Sequence, residues 1–425
     1  MIAVPFIYFS IFFLVMYYKQ KSFNIGSYIL LIYIVTSFFA IMIDVLGLYG
    51  NYGVSMLRKF NLLPTFTYCL LLTITILPFF KFRSDKIQKI TLQNPQLFDL
   101  VSYFFMIVFV VVIVSTGADI LALRGQDLGS VRINFYNDMH EVSDESIPLY
   151  MYVPNIMSRF YPIIMLFFFY SFTFLKRKMW FNLGLFLSTF SMLINSILTA
   201  ARTQVIFWLL LFFLFYFLFK PHLTKERNRK LITLFAVFGS VIILYLGAVT
   251  VSRFEERHDN GTVNSLVGYT GQMFINYCDV FENYRCKEIT IDRIVPITSK
   301  YILENDFVVA QYRDLIEYES GVTVNVFFTF LGDAMLDFSR AGMIIYVLIF
   351  YLLCRLILYR KDIQTIDFAK LILFALLVCI PVQGVFAFVY LRVTDSYYII
   401  GCILLYILFQ HKSQQKLQHK LQLKQ

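Results

Sequence analysis

The sequence predicts an all-α, polytopic membrane protein, and three observations predict it. Hydrophobic residues make up 59% of the 425 and charged residues only 15%, with a mean hydropathy of +0.69, a balance foreign to water-soluble globules. Apolar runs recur along the whole chain, most of them near the roughly 20 residues that cross a ~30 Å hydrocarbon core. The charged loops between them alternate in sign.

About 11 runs qualify as transmembrane helices. The first, Ile2–Tyr17, starts without a basic leader or a small-residue cleavage site and is expected to be retained. Gly26–Leu46, Leu62–Phe80 and Phe98–Thr116 follow, then Asn155–Leu175, Met179–Leu198 and Gln204–Leu218. The last four are Leu231–Val251, Ala341–Leu358, Phe368–Tyr390 and Tyr397–Phe409. All belong to one integral membrane domain spanning 1–425.

Basic clusters follow the odd-numbered helices: Lys19/Lys21, Lys81 to Lys89, Lys176 to Lys178, Lys220 to Lys230, Arg360-Lys361 and the tail lysines from Lys412. With Arg355 and Lys370, 22 of the 37 basic residues gather there against five of the 27 acidic ones. The remainder of the chain holds 15 basic and 22 acidic residues. Lys and Arg accumulate on the cytoplasmic side, so the N-terminus is expected outside and the C-terminus in the cytoplasm. The net charge of +10 is thereby a topology signal and needs no nucleic-acid partner. Four lysines at four-residue intervals in the tail fit a surface helix beside anionic lipid.

Two outer segments are longer than a simple connection, Gly117–Pro154 and Ser252–Val322. In the second, residues 252–322 form a large extracytoplasmic loop in which Leu266, Tyr269, Met273, Phe274, Tyr277, Phe281 and Tyr284 recur at helical spacing. That pattern describes an amphipathic helix able to lie on the membrane or to cap a cavity. A second, partly apolar piece covers Tyr301–Tyr318. Cys278 and Cys286 lie in this loop, where one disulfide is open to them; Cys69, Cys354, Cys379 and Cys402 sit in spans as small apolar residues.

Ionisable residues in or beside spans mark function, because burying them in lipid is expensive without a partner or a wet cavity. Arg202 sits in Thr199-Ala-Ala-Arg202-Thr-Gln, a tight outer turn with small neighbours. Asp333, Asp337 and Arg340 lead directly into an apolar helix, with Gly332 and Gly342 beside them, and Arg392 lies between the last two spans. The segment Thr323–Leu358 is too long for one crossing, so an interfacial or re-entrant piece is expected before Ala341, with its backbone covered by protein or water. Arg253, Arg257 and His258 begin the large loop. Guanidinium forks bind phosphate oxygens bidentately and keep their charge. No phosphate loop, dinucleotide fingerprint, H-E-x-x-H or nucleophile elbow is present, and no outer Asp/Glu/His spacing describes a metal site.

In this layout and in two motifs the chain resembles the Wzy-type oligosaccharide repeat unit polymerases, the O-antigen or capsule polymerase family. Ala-Ala-Arg202-Thr is similar to that family's small-residue/Ser-Arg-Thr junction. Phe330-Leu-Gly332-Asp333 through Asp337-Phe338 to Gly342 is similar to its Gly-(Asp/Glu)…Asp-(Phe/Tyr)-Gly-x-x-Gly entry to a late helix, with Ser339 where a glycine is usual.

The resemblance implies a metal-independent membrane glycosyltransferase with a GT-C-like bundle and no cofactor, in a bacterial plasma membrane. Its substrates would be undecaprenyl-diphosphate-linked oligosaccharides, polymerised at the outer face into O-antigen, capsule or exopolysaccharide. A chain-length regulator and a flippase are the implied partners. The expected catalytic bases are Asp337 and His258. Arg202, Arg253 and Arg257 are expected on the pyrophosphate, with Asp333, Arg340 and Arg392 completing the substrate site. An O-antigen ligase shares this layout. A repeat-unit flippase or other transporter would show internal repeats and mid-span charges, which the sequence lacks; a sensory or structural membrane protein is the remaining alternative.

Overall fold

The computed structural model describes residues 1–122, 155–175, 177–199, 201–254, 261–285, 296–302, 309–360 and 362–410. The described chain is almost entirely helical. Its elements are α1 (Val4–Gln20), α2 (Ile25–Leu46), α3 (Leu62–Lys81), α4 (Pro95–Ala122), α5 (Tyr161–Phe174), α6 (Met179–Ser188), α7 (Ser191–Leu198) and α8 (Thr203–Phe219). Beyond them come α9 (Lys225–Phe254), α10 (Gly261–Asn283), α11 (Pro296–Tyr301), α12 (Val309–Ser320), α13 (Thr329–Leu358), α14 (Phe368–Gln383) and α15 (Val393–Gln410). Two three-residue strands, β1 (Lys89–Thr91) and β2 (Thr365–Asp367), pair in parallel.

Among the described residues eight helices, counting α6 and α7 as one, are long and apolar enough to cross a membrane. Three shorter apolar helices, α1, α5 and α14, fall where further spans are expected. The protein is thus an all-α, multi-pass membrane protein. Lipid-type side chains such as Leu100, Ile107, Val110 and Val114 of α4 face outward, which suits a solvent that cannot hydrogen-bond backbone but accepts apolar surface.

Local chemistry sets the ends. The Asn24 side chain accepts a 3.0 Å hydrogen bond from the Ser27 amide and caps α2. Gly47, at φ 64°, closes that helix by returning its amide to Asp44 and Ile43 carbonyls. The Asp367 side chain caps α14 through the Ala369 amide, 3.1 Å away. Two expected spans differ in detail. Met179–Leu198 is broken at Thr189-Phe190, where the Thr189 hydroxyl donates to the Phe186 carbonyl (2.6 Å) and accepts from the Trp208 indole (3.1 Å). Phe368–Tyr390 ends as a helix at Gln383, because the chain turns at Gly384, whose amide still reaches the Ile380 carbonyl.

The amphipathic loop helix is the larger departure. α10 does not lie on a surface: residues 271–278 are buried all round. It packs closely along α2, and at Gly271 an added Cβ would stand 2.5 Å from the Phe39 carbonyl, so glycine permits the close approach. The buried Asn276 of α10 is paired on both sides of its amide. The Asn276 amide group donates to the Gly53 (2.8 Å) and Phe327 (3.0 Å) carbonyls, and its oxygen accepts from the Ser55 amide at 2.8 Å. Tyr68 of α3 packs its ring, tilted, against those of Phe274 and Tyr277. Cys278 is a free thiol fully buried in this packing, and Cys286 lies outside the described residues.

Candidate functional site

The tight turn that carries Arg202 is held from two sides. The Ala201 amide donates to the Ser196 carbonyl at 3.0 Å, and Tyr245 of α9 donates its hydroxyl to the same carbonyl at 3.1 Å. Arg202 then stands immediately before the first turn of α8, only 7% exposed. Its guanidinium carbon lies 4.9 Å from the centroid of the Tyr269 ring on α10. The Tyr269 hydroxyl shares a 2.6 Å hydrogen bond with Thr203. Tyr269 also meets Phe327 and Phe386, whose rings contact each other. A positive group is therefore fixed at the junction of α8, α10 and the segment entering α13.

α13 is two helices in one run. Ser339 breaks it with φ 66° and ψ 179°, a region that side chains other than glycine's rarely adopt. The short part before the break is enclosed: every residue from Phe328 to Asp337 is buried. Its first amides are satisfied by the turn after α14, with Thr329 donating to the Phe386 carbonyl (3.0 Å) and Phe330 to that of Gly384 (2.8 Å). Gly384 permits that approach, since a Cβ there would stand 2.0 Å from the Ile380 carbonyl and 2.9 Å from Phe330. The stretch before Ala341, expected to be an interfacial or re-entrant piece, is a buried helix ending at Ser339, the position where the sequence motif departs from glycine.

Asp333 and Asp337, one helical turn apart, are both fully buried in that short helix. Asp333 accepts the Phe388 amide at 2.6 Å and pairs with Arg313 of α12 at 3.3 Å. The buried carboxylate is therefore paid in hydrogen bonds and charge, as burial requires. Sequence pattern alone does not single out Arg313; in the structure it shares a face of α12 with the buried Ile316, while Leu315 and Tyr318 are exposed. The arginine lies on the inward face.

Other expected site residues are placed apart from the Asp333 pair. Arg340 sits over the Phe281 ring at 4.7 Å and donates to the Glu282 carbonyl at 3.3 Å. The Arg392 amide donates to Asp395 at 3.1 Å, and the opposite carboxylate oxygen of Asp395 faces Arg159 at 3.3 Å. Asp395, 5% exposed, joins the start of α15 to the segment before α5. Arg253 lies in the last turn of α9, and its side chain, with Arg257 and His258, lies outside the described residues. Among the described residues no group of three or more His, Cys, Asp or Glu converges.

What the arrangement offers chemically is two enclosed carboxylates and a rigidly presented guanidinium on elements that meet at the turn after α14. No protein-family model matches the chain, and neither a curated protein nor a solved structure matches it significantly.

Proposed function

We propose that the protein is a membrane glycosyltransferase that polymerises undecaprenyl-diphosphate-linked oligosaccharide repeat units at the outer face of a bacterial plasma membrane. The observation that carries the reading is the short buried helix before Ser339, which presents Asp333 and Asp337 to the bundle interior and is gripped by two elements of the large loop, α10 and α12. A hydroxyl of the incoming sugar attacks the anomeric carbon of the growing chain. The bond from that carbon to the pyrophosphate oxygen breaks, a glycosidic bond forms, and the hydroxyl proton passes to a carboxylate base. The lipid pyrophosphate leaves as an anion, which fixed guanidinium groups stabilise. Asp333 has both oxygens engaged within the fold and serves as a positioning residue; Asp337 is the first base, with His258 as the second. Arg202, with Arg253 and Arg257, serves the pyrophosphate.

The test is Arg202. A bidentate fork is not reproduced by Lys even though the charge survives. In a deletion host, Arg202→Ala and Arg202→Lys are both expected to reduce surface glycan to single repeat units, with normal protein levels in the membrane. Wild-type chain lengths from the lysine variant would remove Arg202 from pyrophosphate binding. Long polymer in the complete deletion strain would remove the function itself.

A further inference from the structure

At the opposite end of the bundle from Arg202, where α3 and α14 meet the basic loops, β1 and β2 bring together chain segments far apart in sequence. Lys89 pairs with Thr365, Ile90 with Ile366 and Thr91 with Asp367, and the two isoleucines are buried beneath the strands. Beside this pair opens a cleft of about 350 Å³ lined by Lys89, Arg360 and Lys370, with Asp362 and Asp367. The carboxylates there are engaged by nearby amides and side chains. Asp362 accepts the Gln364 amide (2.8 Å) and the Thr365 hydroxyl (2.7 Å), while Asp367 accepts the Ala369 amide (3.1 Å) and the Gln93 side chain.

The three cations are differently placed. None of them makes an ion pair within 4 Å among the described residues. Arg360 is held flat over the Phe82 ring, 4.7 Å from its centroid, and one terminal nitrogen donates to the Phe82 and Arg83 carbonyls. Its other terminal nitrogen is enclosed and makes no hydrogen bond among the described residues. Lys370 is steadied by the Tyr359 carbonyl at 2.9 Å. The cleft lies where α13 ends and α14 begins, and Tyr359 and Ile363 stand exposed between those helices, at 61% and 51%. Helix ends carrying an exposed tyrosine and nearby cations are where hydrocarbon gives way to headgroups.

We infer that this cleft is an anion site for a phosphate group, and that an anionic phospholipid headgroup supplies it, its acyl chains lying against Tyr359 and Ile363. A phosphodiester adds acceptors and negative charge beside Lys89, Arg360 and Lys370, where Asp362 and Asp367 are committed to other hydrogen bonds, and a volume of this size accommodates a small headgroup. The site is independent of the glycan chemistry at the other end of the bundle.

Delipidated full-length protein in detergent tests it, with retention measured by native mass spectrometry for phosphatidylglycerol against phosphatidylcholine, and with melting temperature measured against inorganic phosphate. The expected result is preferential retention of phosphatidylglycerol that falls roughly fivefold for each lysine lost in Lys89→Gln and in Lys89→Gln/Lys370→Gln. Lys19→Gln/Lys21→Gln, in another basic loop, should leave it unchanged. Stabilisation by inorganic phosphate that Lys89→Gln abolishes, without any lipid preference, keeps the anion site and assigns free phosphate as its ligand. Equal retention of both lipids with no response to phosphate, or a preference equally strong in the Lys89 variants, overturns the inference. Lys89 is exposed and its side chain makes no described hydrogen bond, so its single variant is expected to fold.

Discussion

The Arg202 guanidinium carbon rests 4.9 Å above the Tyr269 ring, and the Tyr269 hydroxyl reaches back to Thr203, the residue after Arg202. One tyrosine on α10 therefore holds both the arginine and the first turn of the helix that follows it. A desolvated contact of this kind contributes up to about 2 kcal/mol. Tyr269→Phe keeps the ring and loses the hydroxyl, so it should retain most long polymer. Tyr269→Ala should shorten the polymer severely, and a glycan gel from a complemented deletion strain distinguishes them. Equal defects would show that the hydroxyl, not the ring, positions Arg202.

The Arg313 and Asp333 pair is buried on one side and 17% exposed on the other. Removing the cation leaves a buried carboxylate unneutralised, which costs about 3–5 kcal/mol. Arg313→Ala should lower the melting temperature in detergent more than Arg313→Ala/Asp333→Asn, where neither charge remains. A double variant that melts below the single one would mean that the pair is not coupled.

Ser339 has a conformation that costs a non-glycine residue about 1–3 kcal/mol. Ser339→Gly should raise the melting temperature or leave it unchanged. Ser339→Val, branched at Cβ, should lower it and reduce polymer. A marked loss of stability in the glycine variant would show that the serine hydroxyl, rather than the backbone bend, is what the position requires.

Topology follows from the charge asymmetry. Cysteines introduced at Val263 and at Arg229, both exposed, should respond oppositely to an impermeant maleimide in intact cells, with only the first labelled. The native described cysteines are buried and give a low background. Labelling at 229 alone would invert the bundle and place the carboxylates on the cytoplasmic side.

The helices were legible in the sequence because lipid imposes a length and an apolar composition that few other environments demand. The bend before Ala341 was legible for the same reason: Thr323–Leu358 exceeds one crossing, and the excess had to go somewhere. The embedding of α10 was not. Its apolar positions describe an amphipathic helix, and the residues that reveal burial are polar, Gln272 and Asn276, whose partners near Gly53 and Phe327 lie far away in sequence. Leu266 falls on the apolar face by its spacing, yet it is 53% exposed. Arg313 escaped notice because α12 is only weakly apolar, so its single inward charge resembles an ordinary surface arginine. Arg202, Asp333 and Asp337 stood out because small or apolar neighbours isolate them.

The break at Ser339 also bears on how the chain is made. Residues 340–358 are apolar enough to partition into a bilayer on their own as they emerge, whereas 329–338 carries Asp333 and Asp337, which lipid tolerates poorly. The groups that accommodate that stretch are the Tyr284 hydroxyl on the Leu336 carbonyl, Arg313, and the Phe388 amide. The first two precede it in synthesis and the last follows it. The short helix therefore seats only after α14 has been made, as a late assembly step rather than an insertion step. Changes at its contacts should leave membrane insertion intact and show themselves as protein cleared by quality-control proteolysis.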